Sequence, residues 1–133
     1  MPLYNLACRH PLRPDQRRDV AVRVTDAHCE ATTALPHYVN VVFTDNWSLP
    51  PGIDVSIFGG VRIGGTRTPE VIETLKRALV DAVATGIGQS SDSVSISTIG
   101  VPANWIIEGG EVMPDPGDEP GAAELIAARE LAE

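Results

Sequence analysis

The stretch Thr68-Pro69-Glu70-Val71, which continues as IETLKRALVDA, predicts an α-helix whose start is marked by its own residues. Threonine is a favoured N-cap residue, and proline is favoured at the first helical position, where its missing N–H is not needed. Gly86 and Gly88 indicate the end of the helix, because glycine readily adopts the backbone conformation of a C-cap. The apolar positions recur at helical spacing and are Val71, Leu75, Ala78, Leu79 and Ala82.

The same pattern occurs 55 residues earlier, where Arg13-Pro14-Asp15 corresponds to Thr68-Pro69-Glu70. At this offset Val39 to Val41 also corresponds to Val94 to Ile96. Each helix therefore lies between two stretches that predict strands. The chain predicts an internal duplication of a β-α-β unit.

Four stretches rich in β-branched and aromatic residues predict strands, at 3–8, 38–44, 54–62 and 93–99. Two β-α-β units predict an α/β (α+β) fold with a four-stranded mixed sheet and both helices on one face. The other face of the sheet then needs cover, for which a second copy of the chain is the expected partner. Residues 104–114 predict a short hairpin or an edge that reaches a neighbouring subunit.

A chain of 133 residues suits a single core, so one domain is predicted at 2–117, with repeats at about 2–47 and 54–113. The remaining residues, 118–133, are expected to form a peripheral tail. That tail follows a linker by composition and includes a weak amphipathic helix from Ala122 to Ala132.

The formal net charge of −8 argues against nucleic acid as a partner, because phosphate binding needs clustered Lys and Arg. A small anionic substrate is still compatible with this charge, since one or two arginines can bind a carboxylate. Cys8 and Cys29 lack the spaced partners of a zinc site and are predicted to be small buried residues. No targeting segment or membrane span is evident, so a soluble, cytoplasmic protein is expected.

Pro2 becomes the N-terminal residue once the initiator methionine is removed, which makes it a secondary amine. An α-amino group has a pKa of about 7.7–8.0 and can act as an acid or a base near neutral pH. An interior proline cannot, because its nitrogen is an amide. The alternative is that Pro2 only begins a strand, where no ladder donor is needed.

Several segments together resemble the tautomerase superfamily and, within it, the cis-3-chloroacrylic acid dehalogenase-like group. They are Pro2-Leu3-Tyr4, Thr25-Asp26-Ala27-His28, the Arg67 before the second helix, and Val101-Pro102-Ala103 continuing to Glu108-Gly109. The resemblance covers most of residues 2–117. It implies a homotrimer with Pro2 at the floor of a pocket, a small carboxylate substrate, and neither cofactor nor metal.

The resemblance also implies roles for individual residues. Pro2 would transfer protons, His28 and Arg67 would bind the substrate carboxylate, and Glu108 would activate water, as in the hydrolytic members. Two departures weaken a dehalogenase assignment. The dehalogenase group has a pair of arginines before the second helix, and here Gly64 takes the first position. Thr98 stands where that group has a tyrosine, and is the candidate substrate contact there.

Each of these candidates also has a structural interpretation. Arg67 precedes the N-cap, where free N–H groups favour an anion, but it could be a solvated turn residue. Arg62 is a second candidate anion ligand, or one member of an ion pair. His28 borders the buried stripe of the first helix and could be a hydrogen-bonded core residue. Glu108 could cap a surface turn, or could face Pro2 as a perturbed carboxylate.

Three functions follow from these residues. The first is tautomerisation of a 2-oxo acid such as phenylpyruvate, with neutral Pro2 as the base. The second is a hydrolytic dehalogenase, hydratase or decarboxylase reaction on a three-carbon acid, with cationic Pro2 as the acid and Glu108 directing water. The third is a non-catalytic trimeric binding protein. Desolvation favours neutral Pro2 and a nearby Glu108 favours the cation, so the sequence leaves these open.

Overall fold

The computed structural model describes residues 2–119, 127–128 and 130–132. Within these ranges the chain forms a four-stranded sheet, two long α-helices and a two-stranded hairpin. In chain order the elements are β1 (Leu3–Cys8), α1 (Pro14–Ala31), β2 (Asn40–Thr44), β3 (Val55–Ile63), α2 (Pro69–Ile87), β4 (Val94–Pro102), β5 (Ile107–Glu108) and β6 (Glu111–Val112).

Both helices begin at the prolines that the sequence pattern indicated, Pro14 and Pro69. At α2 the Thr68 hydroxyl accepts a hydrogen bond from the Val71 N–H at 3.2 Å, which satisfies one of the free donors of the first turn. Gly88 ends this helix with a φ of 70°, as expected for a glycine C-cap. β2 begins later than predicted because Pro36–Tyr38 form a short 3₁₀ turn.

The strand order of the sheet is β2-β1-β3-β4. β1 is parallel to β2 and β3 is parallel to β4, whereas the two central strands, β1 and β3, are antiparallel. Each β-α-β repeat thus supplies one parallel pair, and the pairs join through β1 and β3. The predicted fold class, a mixed four-stranded sheet with two helices, is confirmed.

The core lies between the two helices and one face of the sheet, because alternate residues of each central strand point to the same side. Its fully buried members include Tyr4, Leu6, Ile57 and Val61 from the strands, with Val20, Val24, Leu75 and Leu79 from the helices. The opposite face carries four apolar side chains that are each about half exposed: Leu3, Val42, Phe58 and Ile99.

Two predictions about single residues need correction. Cys8 is buried as expected, but Cys29 is only partly buried. Glu119, assigned to the peripheral tail, is 5% exposed, because its carboxylate is paired with Arg62. The packed part of the chain therefore extends beyond 117, and most of the predicted tail helix lies outside the described residues. Among the described residues, no helix has the length and apolarity needed to span a membrane.

Candidate anion site at the start of the second helix

A hydrogen bond between Tyr4 and His28 joins β1 to α1 inside the core. The Tyr4 hydroxyl lies 2.7 Å from His28 Nδ1, and both residues are fully buried. Gly59 on β3 makes room for the tyrosine, because a Cβ at this position would lie 2.6 Å from the Tyr4 ring. Burial raises the pKa of Tyr4 well above its usual value, so the hydroxyl stays protonated.

Arg67 approaches the same histidine from the loop before α2. Its Nη2 lies 3.5 Å from His28 Nε2, and its Nη1 donates to the Arg62 carbonyl at 3.3 Å. Burial first, and then the Arg67 and Arg62 charges, lower the pKa of His28 from 6.5 to about 3. The imidazole is therefore neutral at physiological pH.

The tautomer of His28 follows from its two neighbours. A guanidinium has no acceptor, so Nε2 can bond with Arg67 only through its lone pair. The ring proton is then on Nδ1 and is donated to the Tyr4 hydroxyl oxygen. In this form His28 orients Arg67. A direct bond from His28 to a carboxylate would need the other tautomer, with the Tyr4 hydroxyl donating to Nδ1.

Arg62, near the end of β3, is fully buried and is engaged by the segment that follows the hairpin. Its Nη2 donates to Glu119 Oε1 at 3.3 Å and its Nη1 donates to the Pro114 carbonyl at 2.6 Å. The second carboxylate oxygen of Glu119 accepts the Gly117 N–H at 2.8 Å. Of the two interpretations of Arg62, the ion pair is therefore the one present.

Arg67 differs from Arg62 because no ion pair to a carboxylate is found for it among the described residues, although it is only 3% exposed. The Nε of each arginine is a buried donor without an acceptor among the described residues, so the two differ in the ion pair alone. Burial, followed by the Arg62 charge, lowers the pKa of Arg67 to about 10, which still leaves it charged at neutral pH. An unneutralised buried cation of this kind is the arrangement that an incoming anion stabilises.

The start of α2 borders a groove of about 530 Å³, whose lining includes Arg67, the N-cap Thr68, the first-turn residue Pro69 and Glu73. The free N–H groups and dipole of the first turn favour negative charge at the same place. Within the described part of the chain, no cluster of His, Cys, Asp or Glu could hold a metal ion.

Pro2 lies at the start of β1 and is buried. Its carbonyl accepts the Asn40 N–H at 3.1 Å, so the strand pairing already begins there. Because side chains alternate along a strand, Pro2 and Tyr4 share a face, and their Cα atoms are separated by roughly 6.5 Å. Pro2 is thus on the side of the sheet that holds Tyr4 and His28.

The other two candidates lie farther along the chain. Thr98 on β4 pairs with Gly59 on β3, which in turn pairs with Tyr4 on β1. Thr98 and Tyr4 are therefore two strands apart, or roughly 10 Å at ordinary strand spacing. Glu108 lies in the hairpin, half-buried and opposite Glu111. The catalytic or binding roles of both residues stay predictions.

The structure thus brings His28, Arg62 and Arg67 together, and adds two residues that the sequence analysis did not assign to the site. Tyr4 could have been found, since it is two residues from Pro2 on the same strand face. Glu119 offered no local signal, because it lies in a Pro- and Gly-rich stretch typical of a linker.

Comparison with solved structures identifies the fold. A member of the cis-3-chloroacrylic acid dehalogenase (cis-CaaD) family matches with a TM-score of 0.76 and 23% identity over 94% of this chain and 99% of that one. A fused 4-OT asymmetric trimer matches with a TM-score of 0.74 and 16% identity, over 83% and 94%. This chain has the tautomerase-superfamily fold.

The same fold is found in the macrophage migration inhibitory factor of Toxoplasma gondii. That structure matches with a TM-score of 0.67 and 17% identity, over 84% of this chain and 99% of that one. No protein-family model and no curated protein sequence matches the chain. At these identities the likeness establishes the tautomerase-superfamily fold, and the chemistry has to be argued from the residues.

Proposed function

We propose that this chain is a cofactor-independent tautomerase that belongs with the cis-CaaD-like group and uses Pro2 to interconvert the keto and enol forms of a small 2-oxo acid such as phenylpyruvate. The observation that carries the proposal is the buried, unneutralised guanidinium of Arg67 beside the start of α2. A substrate carboxylate would supply the missing negative charge. His28 supports Arg67 from behind, through its contact with Nη2.

The reaction requires one proton to leave the enol oxygen and one to reach carbon. A single amine can carry out both transfers when its pKa is near the working pH. Pro2 lies on the strand face that also bears Tyr4, whose hydroxyl contacts His28. Burial disfavours a charged amine, so the buried position of Pro2 favours the neutral form that tautomerisation needs.

A hydrolytic dehalogenase, hydratase or decarboxylase is the alternative, and the likeness to a cis-CaaD family member favours it. This chemistry would need cationic Pro2 and water activated by Glu108. The backbone at Gly64 counts against it, because a φ of 91° strains any residue with a Cβ. An arginine would therefore not fit there without a change of the loop, and the first arginine of the dehalogenase pair is missing.

A homotrimer is proposed as the working assembly. The solved structures with this fold include fused 4-OT trimers. In this chain the face of the sheet opposite the helices exposes Leu3, Val42, Phe58 and Ile99. Apolar side chains on a sheet face are stabilised when another layer covers them, and further copies of the chain would provide it.

The test is the rate of phenylenolpyruvate ketonisation by protein whose N-terminal mass shows Pro2 as the first residue. Pro2→Ala should reduce turnover by a factor of roughly 10² or more, the scale of a lost acid–base group. A matched control is Pro14→Ala, which alters an exposed proline at the start of α1 and should leave turnover unchanged within about twofold.

No turnover by protein that begins at Pro2 would contradict the proposal for this substrate. Halide release from, or hydration of, an unsaturated three-carbon acid would then support the hydrolytic alternative. Tight carboxylate binding with no reaction of either kind would favour the non-catalytic binding protein.

A further inference from the structure

The anion site contains an internal carboxylate, that of Glu119, which is already bound to one of its two arginines. We propose that Glu119 is a specificity-determining residue: by occupying Arg62 it limits the site to ligands with one carboxylate and disfavours ligands with two. The inference rests on the proposed function, because it takes Arg67 as the group that receives the substrate's carboxylate.

The first step is that both Nη groups of Arg62 already have acceptors and its charge is paired with a carboxylate, although its Nε, like that of Arg67, is a buried donor without an acceptor. Its Nη2 donates to Glu119 and its Nη1 to the Pro114 carbonyl, and the side chains of the ion pair are 2% and 3% exposed. Both carboxylate oxygens of Glu119 also have hydrogen-bond donors. Arg62 binds one of its oxygens, and the Gly117 N–H binds the other.

The second step is that Glu119 is held in place by the backbone around it. The Pro116 carbonyl accepts the Thr66 N–H at 3.0 Å, which ties the segment to the loop that carries Arg67. The fit is close, because a Cβ on Gly65 would lie 2.1 Å from the Pro116 oxygen. A ligand that displaced Glu119 would have to break these contacts as well.

The third step is the balance of buried charge. Among the described residues, the buried side chains that carry a formal charge are Arg62, Arg67 and Glu119, and their formal charges sum to one positive charge. One bound carboxylate brings the sum to zero. A second carboxylate would leave an unpaired negative charge in a partly desolvated site, where it is disfavoured. Removing the charge of Glu119 leaves two positive charges, which two carboxylates balance.

The experiment measures binding of butyrate and succinate, followed by NMR through the Nε–H signals of Arg67 and Arg62. These saturated four-carbon acids differ in one carboxylate and are inert in tautomerisation and in hydration, so binding is observed without turnover. In the unmodified protein, butyrate should shift the Arg67 signal and leave that of Arg62 unchanged. Succinate should bind at least roughly tenfold more weakly, the effect of one unfavourable charge contact.

The informative variant is Glu119→Gln, which keeps the shape of the side chain and removes its charge. The ratio of the succinate to the butyrate dissociation constant should fall by roughly tenfold or more. Glu119→Asp keeps the charge and should keep the ratio of the unmodified protein. Glu30→Gln is the matched control, because it removes an exposed carboxylate from α1, away from the ion pair, and should also keep that ratio.

An unchanged ratio in folded Glu119→Gln protein would overturn the proposal. If that variant does not fold, the test is made on the unmodified protein. Equal shifts of the Arg62 and Arg67 signals with butyrate would show that Arg62 is also a ligand and would overturn the proposal. Failure of both acids to shift Arg67 would instead overturn the proposed function, and this inference with it. Butyrate binding at Arg67 with no effect of Glu119 would refute only the inference.

Discussion

Arg62 and Arg67 lie five positions apart in the chain, are both buried, and have different surroundings. Arg62 is paired with a carboxylate and Arg67 is not. A buried cation without a carboxylate partner is costly to the fold, so the presence of Arg67 points to a function that uses its charge. At the residue scale, the candidate site consists of Arg67, which has no carboxylate partner, Arg62, which has one, and the neutral His28 beside Arg67.

Replacing Arg67 with Met should therefore separate function from stability. We expect the KM for phenylenolpyruvate to rise by about tenfold or more, since a charge-assisted bond to the substrate is lost. The free energy of unfolding should stay the same or rise, because an unpaired buried charge is removed. Steady-state kinetics and urea unfolding measure the two effects. Arg77→Met, on the exposed side of α2, is the control and should change neither. An unchanged KM would contradict the role of Arg67.

His28 should make the folded protein sensitive to acid. Its pKa is about 3 in the folded state, chiefly because it is buried, and 6.5 is the ordinary value. Between these values the unfolded chain binds a proton that the folded one does not, so stability is present above about pH 6.5 and is lost as the pH falls. The contribution of this one group is about 2 kcal/mol between pH 7 and pH 5.

Urea unfolding of His28→Gln at both pH values isolates this contribution. The variant should be less stable at pH 7, because the hydrogen bond to Tyr4 is altered. Its loss of stability between pH 7 and pH 5 should be smaller than that of the unmodified protein by about 2 kcal/mol. His10→Gln, at an exposed position, is the control and should follow the unmodified protein. If all three proteins lost the same free energy of unfolding between pH 7 and pH 5, the protonation of His28 would not destabilise the folded state.

At the scale of elements, the start of α2 has a structural and a functional task. Thr68 caps the helix through its hydroxyl, and the adjacent Arg67 is one of the residues that line the groove at the same helix end. The structural role, the start of the helix, follows from the β-α-β repeat, because Pro69 occupies the position that Pro14 has in α1. The cap hydroxyl is specific to the second repeat, since the N-cap of α1, Arg13, makes no side-chain cap bond.

Removal of that cap should destabilise the protein by a predictable amount. Thr68→Ala should lower the free energy of unfolding by about 1 kcal/mol, the usual value of an N-cap hydrogen bond. Thr68→Ser keeps the hydroxyl and should retain most of the stability. Thermal or urea unfolding of the three proteins distinguishes these results. Equal loss in both variants would mean that the methyl group, and not the cap, is what matters.

At the scale of the whole molecule, the two faces of the sheet differ. One is covered by both helices, and the other leaves large apolar side chains about half exposed, with Phe58 on a central strand. Stable subunit contacts bury such surfaces, and their exposure in a lone chain would favour association.

Phe58→Asp should consequently prevent assembly. Light scattering with size-exclusion chromatography should give about 42 kDa for the unmodified protein, the mass of the proposed trimer of 14.1 kDa chains, and the mass of one chain for the variant. Val22→Asp places the same charge at an exposed apolar position on α1 and should remain trimeric. A trimeric Phe58→Asp protein would show that another surface forms the contact.

The parts of the fold that depend on neighbours in sequence were predictable. Proline and threonine at the start of α2 indicated its first residue, and the repeat placed the start of α1. For the candidate site, the sequence indicated Arg67 as the first choice of anion ligand, with His28 and Arg62 as further candidates, and the structure brings these three residues together. Their roles in binding stay predictions. Glu119 was missed because an isolated glutamate in a loop-like stretch has no periodicity that marks it as buried.

The sequence by itself determined the elements of this protein and their order, because helix caps, helical spacing and strand composition act over a few residues. Only the tertiary structure decided how the buried charges pair. Arg62 meets a carboxylate 57 residues away, and Tyr4 meets a histidine 24 residues away, through contacts that no local pattern encodes. Electrostatic pairing depends on distance in space, and that distance is set when the two repeats and the C-terminal segment pack together.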